Sequence, residues 1–300
     1  MEKMEFDEGA YPALFLAADR ASACARRQYL NLTRGTLILL VAAAGLAASS
    51  PLLETQRPAF AITSAILLAA SILLTTYLKT SNVEKLWYGG RAIAESVKSM
   101  SWRYMMGADP YFVDLDLAEA DERLIRGLAS IARERKQLAF GFGGEFCEQP
   151  QISTAMRSLR SATLEERKGT YLAERVSSQR RWYGNQARSN RESENAYFIL
   201  ILIGQFLAFV AAILLVEHPE SKVKLTGFFV SLTSALIAWL QLKQHKELAQ
   251  SYAVTELDLA LVQEQAQHVA SNRELSDFVG DAENAISREH TLWAARRDRY

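Results

Sequence analysis

Side chains that could hold a metal or move a proton are few and scattered. The four histidines stand at His218, His245, His268 and His290. None has a second ligand at the i, i+4 spacing that lets one helix face present two donors to an ion. Cys24 and Cys147 lie far apart, form no CxxC motif, and read as two incidental thiols on a reducing face. Gly141-Phe142-Gly143-Gly144 is glycine-rich, but it lacks the Lys-Ser/Thr of a phosphate loop and follows no strand, so it reads as a turn between helices. No G-x-S-x-G and no Cys/His pairing supplies a nucleophile. The residues point away from an enzyme: no catalytic residue, no cofactor and no metal is expected.

Polar side chains inside apolar stretches are more informative. Thr63, Ser64, Ser71, Thr75, Gln205, Thr233 and Ser234 all lie in long runs without charge. One reading is a wetted stripe lining a pore built by several copies. The other is hydrogen bonding within and between helices, because Ser and Thr readily bond their own helix backbone. Gln205 is the strongest single candidate, since a primary amide in lipid needs a partner. Small residues recur every four positions as Gly204, Ala208 and Ala212, as Gly227, Ser231 and Ala235, and as Ala61, Ala65 and Ala69. Such ridges let helix backbones approach closely, and they predict a tight pairing of the third apolar run with the fourth. No ionisable residue lies inside any run, which argues against a proton- or ion-coupled transporter.

The elements that hold these residues are four charge-free runs: 35–53, 58–78, 195–216 and 225–242, each 18 to 22 residues long. About 20 helical residues at ~1.5 Å rise cross a hydrocarbon core of ~30 Å. Lipid offers the backbone no hydrogen-bond partner, so each run must satisfy its own polar groups as a helix. The links 49–57 and 217–224 are short and force two antiparallel hairpins. The first run, with Arg26, Arg27 and Arg34 before it and Leu46-Ala47-Ala48-Ser49 at its end, loosely resembles a signal peptide, but its long leading region carries Glu2, Glu5, Asp7 and Glu8.

Basic residues set the expected orientation. Arg20, Arg26, Arg27, Arg34, Lys79, Lys85, Arg91, Arg180, Arg181, Arg188, Arg191, Lys243 and Lys246 flank the hairpins, whereas the hairpin links carry only Arg57, Lys222 and Lys224. The N-terminus, the middle region and the C-terminus are therefore expected in the cytoplasm, in a multi-pass protein of the inner membrane. The whole chain has 34 basic and 34 acidic residues, which gives no argument for direct nucleic-acid binding.

Between the runs the pattern is helical. Residues 81–106 and 114–138 read as two helices separated near Pro110, the second with Leu117, Leu124, Leu128 and Ile131 near one face. Residues 153–194 read as a helix entering the third run, interrupted near Gly169. Residues 243–271 continue from the fourth run, and 275–297 form a last amphipathic helix. An offset of 164 residues aligns Arg27 with Arg191, Asn31 with Asn195, Lys79 with Lys243 and Tyr88 with Tyr252. The fold class is therefore all-α, with two tandem modules, 1–150 and 151–300, entering the membrane from the same side. Trp87, Arg91, Glu95, Lys98 and Trp102 share one helix face outside the membrane. They read as an interaction surface or as a stabilised helix anchored by its two tryptophans. Trp182, beside Arg180 and Arg181, reads as a contact for lipid headgroups or a partner helix.

Trp87-Tyr88-Gly89-Gly90-Arg91-Ala92-Ile93-Ala94-Glu95-Ser96-Val97-Lys98, followed by Trp102-Arg103-Tyr104, resembles the juxtamembrane helix of the SLATT family, whose members are two-transmembrane domains of bacterial nucleotide-signalling conflict systems. Arg181-Trp182-Tyr183 before a hairpin, with Glu283, Ser287, Arg288, Glu289, His290 and Trp293 at the end, resembles another subtype of it. The resemblance implies an antiphage or conflict role, a partner that makes or senses a nucleotide signal, and a response that opens pores or disrupts the membrane as a homo-oligomer. It adds Glu289 and Trp293 to the candidate interaction residues. The alternative is a non-conducting membrane scaffold or sensor whose cytoplasmic helices bind a partner protein.

Overall fold

Residues 8–49, 56–134, 149–221 and 224–297 are described by the computed structural model, with side chains described from residue 9 to residue 287. Among these residues there are ten α-helices and no strand. They are α1 (Ala13–Ser49), α2 (Arg57–Thr80), α3 (Val83–Met106), α4 (Leu117–Glu134), α5 (Thr154–Arg160), α6 (Leu164–Thr170), α7 (Ser178–Glu217), α8 (Leu225–Lys243), α9 (His245–Gln265) and α10 (Asn272–Arg297). A wide π-type turn, Tyr171–Ser177, joins α6 to α7. The chain divides into two compact units. A core unit comprises Met1–Arg26, Glu84–Ala187 and Gln250–Tyr300, and a span unit comprises Arg27–Val83 and Arg188–Ala249.

The core unit has the interior of a water-soluble protein. Trp102, Tyr104, Met105, Leu124, Tyr171 and Val279 are all fully buried in one apolar cluster that draws on both halves of the sequence. Helix α10 explains its own place there. Leu275, Phe278, Val279, Ala282 and Ile286 recur at helical spacing and are buried. Helix α4 buries Ala120, Leu124 and Leu128, while Leu117, expected on that face, is exposed at the first turn. The expected helix over 153–194 is broken once, between α5 and α6, and just after Gly169 it passes into the π-type turn without a gap. Ser153 caps α5 by accepting from the Met156 amide at 3.1 Å. Thr163 and Glu166 then form a reciprocal capping box that starts α6. Helix α3 ends in Gly107, whose φ of +62° suits glycine. Arg160 donates to the carbonyls of Tyr104, Tyr111 and Phe112 at 2.7–2.9 Å, and Arg167 donates to that of Met106. The two arginines thereby bond carbonyls in the last turn of α3, and Arg160 ties down the loop that follows it.

The span unit is built the other way round. Leu73 is 71% exposed, Ile72 65%, Phe206 64% and Val216 81%, so its large apolar side chains face outward. Helices long and apolar enough to cross a membrane number four among the described residues. Both hairpins use the same plan. A long helix (α1 or α7) is followed by a short link and a second span helix (α2 or α8), which ends at a left-handed residue before the next helix begins. Those residues are Asn82 (φ +52°) and Gln244 (φ +49°). The expected continuous helix over 243–271 is thus interrupted at Gln244 and gives way to α9.

Candidate functional site

The polar side chains of the span unit are mostly consumed locally. Thr63 donates to the Ala59 carbonyl at 2.8 Å, Thr75 to Ser71 at 2.9 Å and Thr233 to Phe229 at 2.8 Å, each one turn back along its own helix. Buried Ser71 donates to Leu68 at 2.8 Å. Ser64 differs: its hydroxyl crosses from α2 to the Ala43 carbonyl of α1 at 3.1 Å and ties the first hairpin together. Gly204 is buried and approaches Thr233 so closely that a Cβ there would collide with the threonine hydroxyl. The second hairpin closes at that point, with Ala208 half-buried a turn away. The fourth-run ridge does not take part. Gly227 is exposed and a Cβ on it would touch nothing, Ser231 is half-buried, and Ser234 is exposed. Ala61, Ala65 and Ala69 also face outward.

Gln205 is exposed, and its side-chain amide makes no hydrogen bond among the described residues. Its neighbours Ile203 and Phe206 are exposed as well, so the amide stands on an apolar outward face.

The stripe on α3 has a different fate from a surface. Trp102 is fully buried, donates from Nε1 to the Tyr11 hydroxyl at 3.0 Å, and sits edge-on to Tyr171 with centroids 5.5 Å apart. It anchors the core and neither a membrane surface nor a partner. Trp87 is half-buried and stacks on Tyr88 at 4.4 Å, and its carbonyl accepts from Ser22 at 2.8 Å. Arg91 and Glu95 pair at 2.7 Å. Lys98 lies over the rings of Tyr11 and Phe15 at 5.4 and 5.7 Å. Trp182 remains exposed on one side and packs edge-on against Tyr183 and Tyr252. The side chains of Glu289 and Trp293 lie outside the described residues, as do Cys147 and the turn at 141–144.

Beneath the α3 stripe lies a group that the sequence did not single out. Arg175 and Glu283 are both fully buried and form a two-pronged pair, Nε to Oε1 at 2.9 Å and Nη2 to Oε2 at 2.8 Å. The Tyr171 hydroxyl donates to the same carboxylate at 2.9 Å. The π-type turn carries both Tyr171 and Arg175, and its extra residue per turn aims the two side chains at one target. Arg175 Nη1 has no hydrogen-bond partner among the described residues. Burial opposes the Arg175 charge, but Glu283 more than restores it, so the guanidinium is held firmly protonated. Burial first, then the nearby Arg175, push the Lys98 ammonium below its ordinary range. Burial lifts the Tyr11 phenol to about 12. The one clue in the sequence was Glu283, an acid inside the apolar stripe of α10. Nothing in the sequence marked Arg175 as its partner.

These are the components of a helical protein with two hairpins of membrane-span helices and a core unit packed like the interior of a water-soluble protein. Residues 12–168 match the SMODS and SLOG-associating 2TM effector domain 3, and residues 171–293 match the SMODS and SLOG-associating 2TM effector domain 1. The chain belongs to the SLATT family and carries two of its domains in tandem. Such domains are two-transmembrane effectors of conflict systems that associate with SMODS and SLOG signalling proteins. No curated protein and no solved structure matches it.

Proposed function

We propose that this chain is a bacterial inner-membrane effector that assembles with further copies of itself and breaches the membrane when a nucleotide-signalling partner triggers it. Both termini and the core unit face the cytoplasm in this reading, as the basic flanks of the hairpins suggest. The observation that carries it is Gln205. An amide without a partner on a lipid-facing surface is costly, and the same surface of another copy can satisfy it. The outward small-residue ridge Ala61-Ala65-Ala69 supports close approach between copies. The effector class of both matched domains supports the conflict role.

The test is membrane potential and dye entry in cells expressing the full chain with its signalling partner. Depolarisation is expected on triggering, and Gln205→Leu should reduce it while leaving the amount of membrane-inserted protein unchanged. A polarised membrane under full triggering would defeat the reading. The second reading, a non-conducting scaffold that captures a partner, is favoured by one feature of α9. Val254, Leu257 and Leu261 are each about 60% exposed and form an apolar stripe on the core unit. Partner capture without ion flux, lost in Leu257→Glu, would establish it.

A further inference from the structure

Between α1 and α8, within the span unit, runs an open groove of about 770 Å³. This falls within the ~300–1,000 Å³ of a typical small-molecule site. Its walls include Val41, Ala42, Gly45, Phe228, Leu232 and Leu236, and so are almost wholly apolar. The two helices run antiparallel along it. Gly45 meets Phe228, whose ring lies 3.4 Å from where a Cβ on residue 45 would stand, and Arg34 meets Trp239 at the opposite end. From Arg34 to Ser49 the groove follows one face of α1 for roughly 22 Å at ~1.5 Å per residue. That exceeds the ~15 Å of one leaflet, half of a ~30 Å core.

The two ends differ. At one end Arg34 lies over the Trp239 indole with its guanidinium carbon 5.1 Å from the ring centroid, and Lys243 approaches the same ring at 5.8 Å. Trp239 is held in place because its Nε1 donates to the Tyr197 hydroxyl at 3.0 Å. The stacking aims Arg34 at the groove mouth, yet Arg34 is exposed and has no carboxylate or hydrogen-bond partner among the described residues. Arg34 is the last charge before the first span and Lys243 the first after the fourth, so both stand at the depth of a headgroup. At the opposite end the polar side chain among the described lining residues is Ser49, whose hydroxyl is spent on the Gly45 carbonyl at 2.8 Å.

We infer that this groove is a binding site for one anionic phospholipid, with an acyl tail lying along α1 and α8 and the phosphate on Arg34, assisted by Lys243. An unpaired fork-shaped cation at one end and a continuous apolar trough leading from it match an anionic amphiphile. The inference rests on the four helices being in lipid and not on pore opening, so it can hold or fail independently of leakage.

The test is native mass spectrometry of the full-length protein, purified in detergent doped with equal phosphatidylglycerol and phosphatidylethanolamine. Preferential retention of one phosphatidylglycerol is expected, roughly ten-fold over the zwitterionic lipid, as a charge-assisted contact provides. Arg34→Gln should erase the preference, Arg34→Lys should keep part of it, and Ala235→Phe should lower retention by filling the trough with Arg34 intact. Glycerol phosphate at millimolar concentration should not compete, since it has no tail. Equal retention of both lipids would overturn the site, as would a preference untouched by Arg34→Gln. Competition by glycerol phosphate would assign it to a free anion instead. A disulfide between copies formed through Ile38→Cys would mean that a second chain fills the groove, and would equally overturn it.

Discussion

The core unit and the span unit share α1, α7 and α9 yet are built by opposite rules. In the core unit the largest side chains are the most deeply buried: Trp102, Tyr104, Tyr171 and Met105 have essentially no exposure. In the span unit many large apolar side chains are exposed, and small residues such as Ala43, Ser71 and Thr233 are buried alongside the few large ones, Ile201 and Trp239 among them. Polar groups divide likewise. The core unit sinks a whole ion pair, Arg175 with Glu283, and surrounds it with Tyr171 and further charges. The span unit spends its hydroxyls on backbone carbonyls one turn back. The difference shows which solvent each unit was made for. Water drives large apolar side chains inward. Lipid gives no such drive and leaves close packing of small residues and satisfied polar groups as the forces that hold helices together.

That contrast is sharpest at the buried pair. Arg175→Leu or Glu283→Leu alone should cost about 3–5 kcal/mol, because each strands a charge in the core. The double substitution should recover much of the loss. Chemical denaturation of the detergent-solubilised protein, following tryptophan emission, measures it. A single variant as stable as the parent would mean that water reaches the pair.

Next comes a matched pair of truncations. Leu124→Ala in the core unit should cost roughly 2–5 kcal/mol, and Leu73→Ala on the outer face of α2 within about 0.5 kcal/mol. Equal losses in thermal midpoint would erase the distinction between the units. A smaller effect is expected at Ser64. Its bond to the Ala43 carbonyl is the kind that averages about 0.6 kcal/mol in a membrane protein. Ser64→Ala should therefore lower the unfolding free energy by about that much in detergent titrations, and Thr63→Ala by less.

The smallest effect is a pH dependence at His245. Its Nδ1 lies 2.7 Å from Asn190 Oδ1, an acceptor, so the neutral ring carries its proton there. Burial, and then Lys243, hold its pKa below the ordinary 6.5. A folded value below the unfolded one gives stability that is complete above about 6.5 and lost as pH falls through the folded value. Acidifying from about pH 7.5 to 5.5 should therefore lower the thermal midpoint of the parent more than that of His245→Gln.

Much of the plan was legible in the sequence because it depends on local chemistry. Long charge-free runs can only be helices in lipid; α1 covers 35–49 of the first run and α2, α7 and α8 cover the other three, with α1 and α7 beginning well before their runs. The start of α6 was legible in principle, since Thr163 and Glu166 have capping-box spacing. The breaks at Asn82 and Gln244 were not, because a left-handed φ at a non-glycine residue carries no firm sequence signal. The candidate residues divide by the same logic. Ser64 and Gly204 meet a neighbouring helix, whereas Gly227 and Gln205 are exposed, on helices with much the same composition all round. With so little amphipathic asymmetry, only the small-residue ridges hinted at an inward face, and the one in α8 pointed to Gly227, which is exposed.

The sequence by itself determined that four segments must be helices, that they come as two close pairs, and that charge is kept outside them. The cause is the cost of leaving backbone groups or ions unsatisfied in hydrocarbon, which each segment meets alone. Only the tertiary structure decided that both halves build a single core, that Arg175 finds Glu283 across 108 positions, and that Arg34 stacks on Trp239 at the mouth of an apolar groove. Those outcomes depend on which surfaces meet after the chain has folded, and pairings between distant residues leave no periodic trace in the chain.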